Sequence, residues 1–401
     1  MEVLQDTYKD TKIGRIPKDW DVMMLNEITN YKSSNLSLNK LEENTGKYKL
    51  YGASGMLKGI DFYQTDKESF AIVKDGSGFG NLLWCDKNSS ILGTLGRITN
   101  KEILDLKFCF YLTHTIKFKR YMSGSTIPHL YYKDYGNIKL PVPPLPEQRK
   151  IAAILSTVDE LISTTDKIIE KSKELKKGLM QKLFSEGIGH TEFKDTKIGR
   201  IPKDWEVVRL KKLLSKPTEY GANSSAIDFN EHTYRYVRIT DIHSDGRLNK
   251  TCIAGILKEE GKKYLLNQDD VIIARTGNTV GKSYLYNITD GDCAYAGYLI
   301  RFVVNKDVLL PQYLFQYLQS NFFWNWVKRT VRTGAQPNIN SKEYQSMRIP
   351  LPRLSDQNKI ATILLEADAK IEKEQTQKAQ LEALKKGLMQ QLLTGKKRVK
   401  V

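Results

Sequence analysis

Apolar side chains recur at alternating four- and three-residue steps through Ile151, Leu155, Val158, Ile162, Thr165, Ile169, Ser172, Lys176, Leu179 and Leu183. That spacing keeps one stripe along a helix and predicts a coiled-coil seam over 146–184, weak at Thr165, Ser172 and Lys176. Ile154, Leu161, Ile168 and Leu175 widen the stripe. A second pattern of Ile360, Leu364, Ala367, Ile371, Leu381, Leu388 and Leu392 predicts another long helix over 355–393, interrupted by Glu374 and Lys378. Each pattern opens well: Pro146 precedes Glu147, Ser355 precedes Asp356, and proline, capping serine and early acid all favour a helix start. Either stripe alone would face water, so the simplest arrangement packs the two helices on each other; separate helices lying on their own globular domains are the alternative. A helix over 146–184 would be about 58 Å long at 1.5 Å per residue. Gly178 and Gly387 interrupt the helices at equivalent places, each costing about 1 kcal/mol relative to alanine. Close helix approach, a bend for a partner, or simple tolerance near a helix end would account for them.

The two helices belong to a repeat. "KDTKIGRIPKDW" runs from Lys9 and again, letter for letter, from Lys194. "IKLPVPPLPEQRKIAAIL" from Ile138 is echoed by "MRIPLPRLSDQNKIATIL" from Met347, and "LKKGLMQKLF" at Leu175 by "LKKGLMQQLL" at Leu384. The offset is 185 residues at the start of the unit (9 to 194) and 209 from the proline-rich stretch onward (138 to 347). All added length therefore lies in an insert, 21–139 in the first copy and 206–348 in the second. A constant frame around variable inserts points to two related domains reading different things. The boundaries expected are a first domain over 1–145, a spacer helix over 146–184, a linker and second domain over 185–354, a second spacer helix over 355–393, and a basic tail over 394–401. If the ends met, 394–401 with 1–9 would resemble the link 185–194, making the chain pseudo-circular with antiparallel helices; the tail itself reads as a frayed, solvated end.

"IIARTGNTVGKSYL" from Ile272 imitates the lysine-tipped loop that wraps nucleotide phosphates. It has one residue too few between Gly277 and Gly281, and a strand-like "SYLYN" follows where a helix should begin. The first copy, "VKDGSGFGNLL", has Asn81 and Leu82 in place of Lys282 and Ser283. Both read as strand, tight polar loop and strand, with Lys74, Asp75 and Ser77, or Arg275, Thr276, Asn278 and Lys282, at the loop. A structural turn and a loop offering polar tips to a nucleic-acid groove are both open. Each insert ends in an aromatic-rich helical stretch, "FCFYLTHTIKFKRYM" or "QYLFQYLQSNFFWNWVKRTV", closing on Lys119 and Arg120, or on Lys328, Arg329 and Arg332. Cations in a last turn complement the helix dipole; they also suit phosphates, with Ser125, Thr126, Gln336 and Asn338 in the following loops suited to base edges.

Charge sharpens the picture: 63 basic against 46 acidic residues give +17, so a polyanionic partner leads. The four cysteines and five histidines are scattered, giving neither metal-ligand spacing nor a disulfide framework. Paired nuclease carboxylates, a methyltransferase motif and a zinc-protease motif are all missing, so no catalytic or metal site is expected. No apolar run reaches membrane-spanning length and the polar start is no secretory signal, so a cytoplasmic protein without membrane contact is expected.

"PLPEQRKIAAILSTVDELI", its echo "RLSDQNKIATILLEADAKI", the doubled "GRIPKDW", "VIIARTGNTVGKS" and "TGAQPNIN" together resemble the specificity subunits of type I restriction-modification systems over nearly the whole chain. The second copy departs with "LSDQ" for "LPEQ" but keeps the acid and the amide. The resemblance implies an α+β fold: two globular target-recognition domains, each a small twisted sheet plus helices, separated by two long antiparallel coiled-coil helices in a pseudo-two-fold tandem repeat. It implies a DNA-specificity subunit without catalysis, each domain reading one half of an asymmetric split site on double-stranded DNA. Two modification subunits would bind S-adenosylmethionine, and restriction subunits would use ATP and Mg; this chain would hold no cofactor. Spacing and partner docking would fall to Glu147, Gln148, Ile151, Leu155, Val158, Ile162 and Gly178, and to Asp356, Gln357, Ile360, Leu364, Ile371 and Gly387. A nucleotide-hydrolysing enzyme using Lys282 and a coiled-coil assembly scaffold are the competing functions.

Overall fold

In each repeat the strand that opens the insert pairs with the strand that closes it. Asp21–Met24 runs antiparallel to Lys139–Val142, and Glu206–Arg209 to Arg348–Leu351. Closure at the base lets the intervening chain change length cheaply, because loop entropy grows slowly with length. The computed structural model describes residues 7–76, 78–124, 128–331 and 336–400. It forms two compact units, Met1–Asp166 with Thr376–Val401, and Lys167–Gln375. No helix among the described residues is long and apolar enough to cross a membrane.

The first unit contains an antiparallel sheet in the order Thr29–Ser33, Leu95–Asn100, Ser69–Val73, Leu82–Cys85. Ser69–Val73 is buried at every position, as expected of a central strand reading "FAIV". Trp20, Phe70, Ile72, Ile98 and Phe108 form its core with Ile151 and Leu155, from the start of the first long helix, and Leu392, from the end of the second. These helices span Leu145–Ser185 and Leu354–Leu392, starting one residue earlier than the caps suggest. The second unit repeats the sheet order with Glu219–Tyr220, Leu299–Phe302, Val271–Ala274 and Ser283–Leu285. Its core joins Trp205, Ile273, Phe302 and Tyr313 to Leu183 and Phe184, at the end of the first helix, and to Ile360 and Leu364, at the start of the second.

Two polar devices fasten the helices to the inserts. The Gln148 amide, 1% exposed, donates to the carbonyls of Pro143 (2.8 Å) and Ile103 (3.1 Å) and accepts from the Asp105 N–H (2.8 Å). Gln357 repeats this with Pro352 (3.0 Å), Val308 (2.8 Å) and the Leu310 N–H (2.8 Å). Farther along, Tyr111 donates to Asp159 at 2.7 Å, and Asp159 pairs with Lys385 at 2.6 Å. In the second unit Gln316 donates to Asp368 at 2.9 Å, and Asp368 pairs with Lys176 at 2.5 Å. Within the first unit Asp159 faces Lys385 and Asp166 faces Lys378, so the paired helix segments run antiparallel.

Each seam position named for the first helix is buried or half-buried, including Ile162, Ser172 and Lys176. The weak centre is held by ion pairs instead of apolar contact, and the interrupting Lys378 is one of them. The widening flank behaves otherwise: Leu161, Ile168 and Leu175 are exposed. Gly178 and Gly387 make no close approach among the described residues, since a Cβ at either would meet nothing within 4 Å.

The tail departs from the expectation of a frayed end. Arg398 forks onto both Glu147 oxygens (2.8 and 2.8 Å) and both Asp19 oxygens (2.8 and 2.7 Å), while the Trp20 indole donates to Glu147 at 3.0 Å. Tyr8 donates to the Gly395 carbonyl at 3.0 Å. Glu147 is only 1% exposed, and its bonds to the guanidinium raise the Arg398 pKa further. Arg398→Ala should lower the stability of the first unit by about 2 kcal/mol, the range for hydrogen bonds to a buried charge. Lys397→Ala, on an exposed neighbour, should change it by less than about 0.5 kcal/mol; thermal unfolding of the two variants beside the parent chain measures both.

Candidate nucleic-acid interface

The hairpin that contains the imitation phosphate loop turns on glycines with left-handed backbone. Gly76 and Gly80 have φ of 90° and 83° in the first unit, and Gly277 and Gly281 have 71° and 90° in the second. A side chain is strained there, which explains the shared glycines without any nucleotide. A short turn, Gly277–Thr279, leads straight into the strand Ser283–Leu285, so no helix N-terminus is available for phosphates. The Lys282 ammonium donates to the Ile242 carbonyl at 3.2 Å.

Each hairpin turn is fastened to the loop that follows the aromatic-rich stretch. In the first unit Gly76 N–H donates to the Pro128 carbonyl (3.1 Å) and Leu130 N–H to Lys74 (2.8 Å), and Asp75 pairs with His129 Nδ1 at 2.8 Å. In the second, Gly277 N–H donates to Pro337 (2.9 Å) and Ile339 N–H to Arg275 (2.9 Å), with Thr276 bridged to Asn338. Cations are carried to the same place by packing. A Cβ at Gly80 would sit 3.0 Å from the Phe118 Cβ, and one at Gly281 would sit 3.1 Å from Trp324 and 3.2 Å from Val327. Lys119 and Arg120 follow Phe118, and Lys328 and Arg329 follow Val327; all four are exposed.

The expected single helices are broken. In the first unit the helix Leu106–Thr113 stops before the cations, which ride on a separate turn, Phe118–Tyr121. In the second, Pro311–Gln319 ends at Ser320, whose hydroxyl caps a new helix, Asn321–Thr330. Lys328 and Arg329 do occupy its last turn, with Arg329 bonded back to the Asn325 carbonyl at 3.1 Å.

Lys74, Asp75, Lys119 and Arg120 thus converge in the first unit, as do Arg275, Asn278, Gln336 and Asn338 in the second, with Lys328 and Arg329 against the same hairpin. Thr276 is only 4% exposed and presents no free polar tip, while Lys282 is half-buried and gives one of its three ammonium hydrogens to a carbonyl. Ser77, Ser125, Thr126 and Arg332 lie outside the described residues. Glu147, Gln148, Gln357 and the apolar Ile151, Leu155, Val158, Ile360, Leu364 and Ile371 are buried; they hold each helix to its own unit. Asp356 and Ile162 are partly covered.

Sequence reasoning missed the aromatics beside these loops. Arg275 lies over Tyr220 (5.0 Å) and Tyr298 (5.8 Å), rings that are 43% and 56% exposed. In the first unit the exposed Tyr131 stacks near His129 at 6.2 Å, with the Lys133 ammonium 5.5 Å from the ring. Nothing in the local pattern separates these tyrosines from core ones; only the sheet edge and loop tie that place them reveal the grouping.

Comparison with known proteins adds to this geometry. The family model for the type I restriction modification DNA specificity domain matches residues 17–174 and again 202–383. The MjaVIII type I specificity subunit of Methanocaldococcus jannaschii is 31% identical, the alignment covering 99% of this chain and 97% of the relative. The putative MjaX specificity subunit of the same organism is 28% identical over 99% and 98%. Among solved structures, the type I S subunit from M. genitalium superposes with a TM-score of 0.63 at 16% identity, covering 93% of this chain and 96% of that one; that likeness concerns the fold.

The glycine contacts carry their own test. Gly76→Ala meets no atom within 4 Å and bears only its φ strain, whereas the Gly80→Ala methyl also comes to 3.0 Å from the Phe118 Cβ, which must shift slightly. We expect Gly76→Ala to cost about 1 kcal/mol and Gly80→Ala at least about 2 kcal/mol, compared by urea unfolding; equal costs would show that the Phe118 contact yields freely.

Proposed function

This chain belongs to the family of type I restriction-modification DNA specificity subunits, and from that membership we propose that its two inserts each read one half of an asymmetric, two-part DNA sequence without performing a reaction. One observation carries the reading. Both units fasten the hairpin turn to the following loop through equivalent backbone bonds and bring a Lys-Arg pair up to it, yet the exposed residues at the turn and loop differ. Conserved mechanics with unlike tips suits two readers of unlike half-sites. The cations suit phosphates, which position; the amides, Asp75–His129 and the tyrosines suit groove edges, which specify.

The helices have a second task in this reading. Leu175 is 62% exposed one turn before exposed Gly178 in the second unit, and Leu384 is 50% exposed one turn before Gly387 in the first. A leucine beside a glycine gives a partner helix an apolar hold and close backbone approach. One such patch per unit suits two modification subunits, with restriction subunits joining the assembly. S-adenosylmethionine, ATP and Mg belong to those partners in this proposal, and the work is cytoplasmic, where the DNA is. The long helices set the unread gap between half-sites.

Replacing 21–139 with the corresponding insert of a relative should change one half of the methylated sequence and leave the other intact, as read by mapping modified adenines in cells carrying the chimera. A change in both halves, or in neither, contradicts independent reading. Removing Lys119, Arg120, Lys328 and Arg329 together should weaken duplex binding of the assembled complex and reduce the slope of log K against log salt by about 3–4, with the preferred sequence retained. A slope that does not move excludes those four as phosphate contacts.

A further inference from the structure

Arg275 is fixed at both its backbone and its side chain. Its N–H donates to the Tyr298 carbonyl (3.0 Å) and its carbonyl accepts from the Ile339 N–H (2.9 Å), within the tie between turn and loop. The side-chain Nε donates to the Gly297 carbonyl at 3.2 Å, and the guanidinium lies over Tyr220 and Tyr298. Tyr220 is anchored in turn, its hydroxyl accepting from the Ser341 N–H at 3.2 Å. The two terminal nitrogens are left over: among the described residues neither has a hydrogen-bond partner, and no carboxylate pairs with the group. Arg301, on the neighbouring strand, shows the contrast, since Asp270 (3.2 Å) and Glu219 (3.6 Å) neutralise it.

The first unit lacks this clamp. Lys74 stands at the equivalent place, its N–H on the Thr94 carbonyl (3.0 Å) and its carbonyl accepting from the Leu130 N–H (2.8 Å). Strand register puts Ser33 where the second unit has Tyr220, and Thr94 where it has Tyr298. Among the described residues no ring lies over the Lys74 ammonium, which is 4.0 Å from Asp75 instead. The exposed Lys-Arg pair is therefore common to both units, whereas the fixed fork belongs to one.

We propose that Arg275 selects a guanine, on either strand, in the half-site read by the second unit, with Tyr220 and Tyr298 as positioning residues that hold the fork in plane. In the major groove guanine alone among the bases presents two acceptors, O6 and N7, and the terminal nitrogens can donate to both. A phosphate accepts the same fork. Phosphates, however, are met in both units by the mobile side chains of the Lys-Arg pair, and a fork fixed in one unit alone suits a feature of one half-site. The inference rests on the DNA reading above and adds to it the base and the residue.

The test uses the assembled complex and a duplex carrying the recognition sequence mapped from modified adenines. 7-Deazaguanine, which lacks the N7 acceptor but keeps base pairing and the phosphate, replaces one guanine of the second half-site at a time. At one position it should weaken binding of the parent by about tenfold, the size of a good bidentate base contact. The same replacement should cost the Arg275→Met complex less than about twofold, with the other positions of both half-sites still discriminated; that retention shows the variant folded. Tyr298→Leu keeps the charge and should reduce the penalty to about threefold; an undiminished penalty removes its positioning role. A second half-site without a G·C pair, a parent indifferent to 7-deazaguanine at every position, or an equal penalty in Arg275→Met would overturn the assignment. An equal penalty together with a salt slope lower by about 1 would make Arg275 a phosphate contact. If instead exchanging 206–348 leaves the second half of the mapped sequence unaltered, the DNA reading itself fails, and the assignment with it.

Discussion

Neither core can be finished by a continuous stretch of chain. Each needs the beginning of one long helix and the end of the other: Ile151 and Leu155 with Leu392 in the first unit, Ile360 and Leu364 with Leu183 and Phe184 in the second. Apolar burial of these ends is the main stabilising contribution available to either helix, because its middle is polar and its flank is wet. The ion pairs of Lys385 with Asp159 and of Lys176 with Asp368 then select the antiparallel pairing. Each of those aspartates also takes a hydrogen bond from its insert, through Tyr111 or Gln316. Burial pushes the Tyr111 phenol pKa up, so this group stays a donor to the carboxylate at physiological pH.

From that constraint follows the division between frame and insert. The clamping glutamines and the base strands are repeated with the same partners, so an insert enters a socket already made. Between the clamp and the hairpin, length and composition are free, and the second copy is longer there, 17 residues from Leu310 to Val327 against 13 from Asp105 to Phe118. A scaffold of this kind tolerates exchange of a whole insert, since each insert brings its own sheet core, such as Phe70, Ile72 and Ile98, and meets the frame at the clamp, the base strand and the helix ends. Even the buried arginine on the central strand is repeated with different partners: Arg97 bonds Ser69 and the Ser89 carbonyl, whereas Arg301 faces Asp270 at 3.2 Å.

Much of this was legible in the sequence because it is written in repetition and period. The seam positions from Ile151 to Leu183 are covered as their spacing requires, and the doubled markers delimit the frame. What escaped depends on tertiary context. Helix periodicity could not show that Ser320 caps a new helix, because a serine within an aromatic run reads as tolerable until its hydroxyl is seen to accept from the Phe323 N–H. Nor could it separate Leu175 from Leu179: both are apolar at helical spacing, and only the partner helix decides which is covered. The loop ties join residues more than fifty positions apart, and Tyr220, Tyr298 and Tyr131 gather there through sheet edges that no short-range pattern encodes. The dense positive charge indicated a polyanion but could not distinguish Lys119, which is exposed, from Lys282, which is half-buried and donates to the Ile242 carbonyl.

The seam that follows each long helix is held by different chemistry in the two units. In the second unit the segment after the first long helix runs by peptide bonds into the hairpin strand Phe193–Thr196, and a modest tie suffices: His190 lies 3.3 Å from Asp204 and 4.0 Å from Asp356. There the acid is one carbon shorter than Glu147, and the Trp205 indole N–H finds no acceptor among the described residues. In the first unit the segment after the second long helix is fastened beside Tyr8–Thr11 by the Tyr8 hydroxyl on the Gly395 carbonyl and by a fork onto Asp19 and Glu147. The residue at that place is Arg398, whose fork is always charged and makes four charge-assisted bonds to two carboxylates, with the longer Glu147 reaching Trp20 as well. Charge-assisted bonds to a carboxylate are roughly twice as strong as neutral ones, so the guanidinium fork of the first unit is the stronger of the two ties.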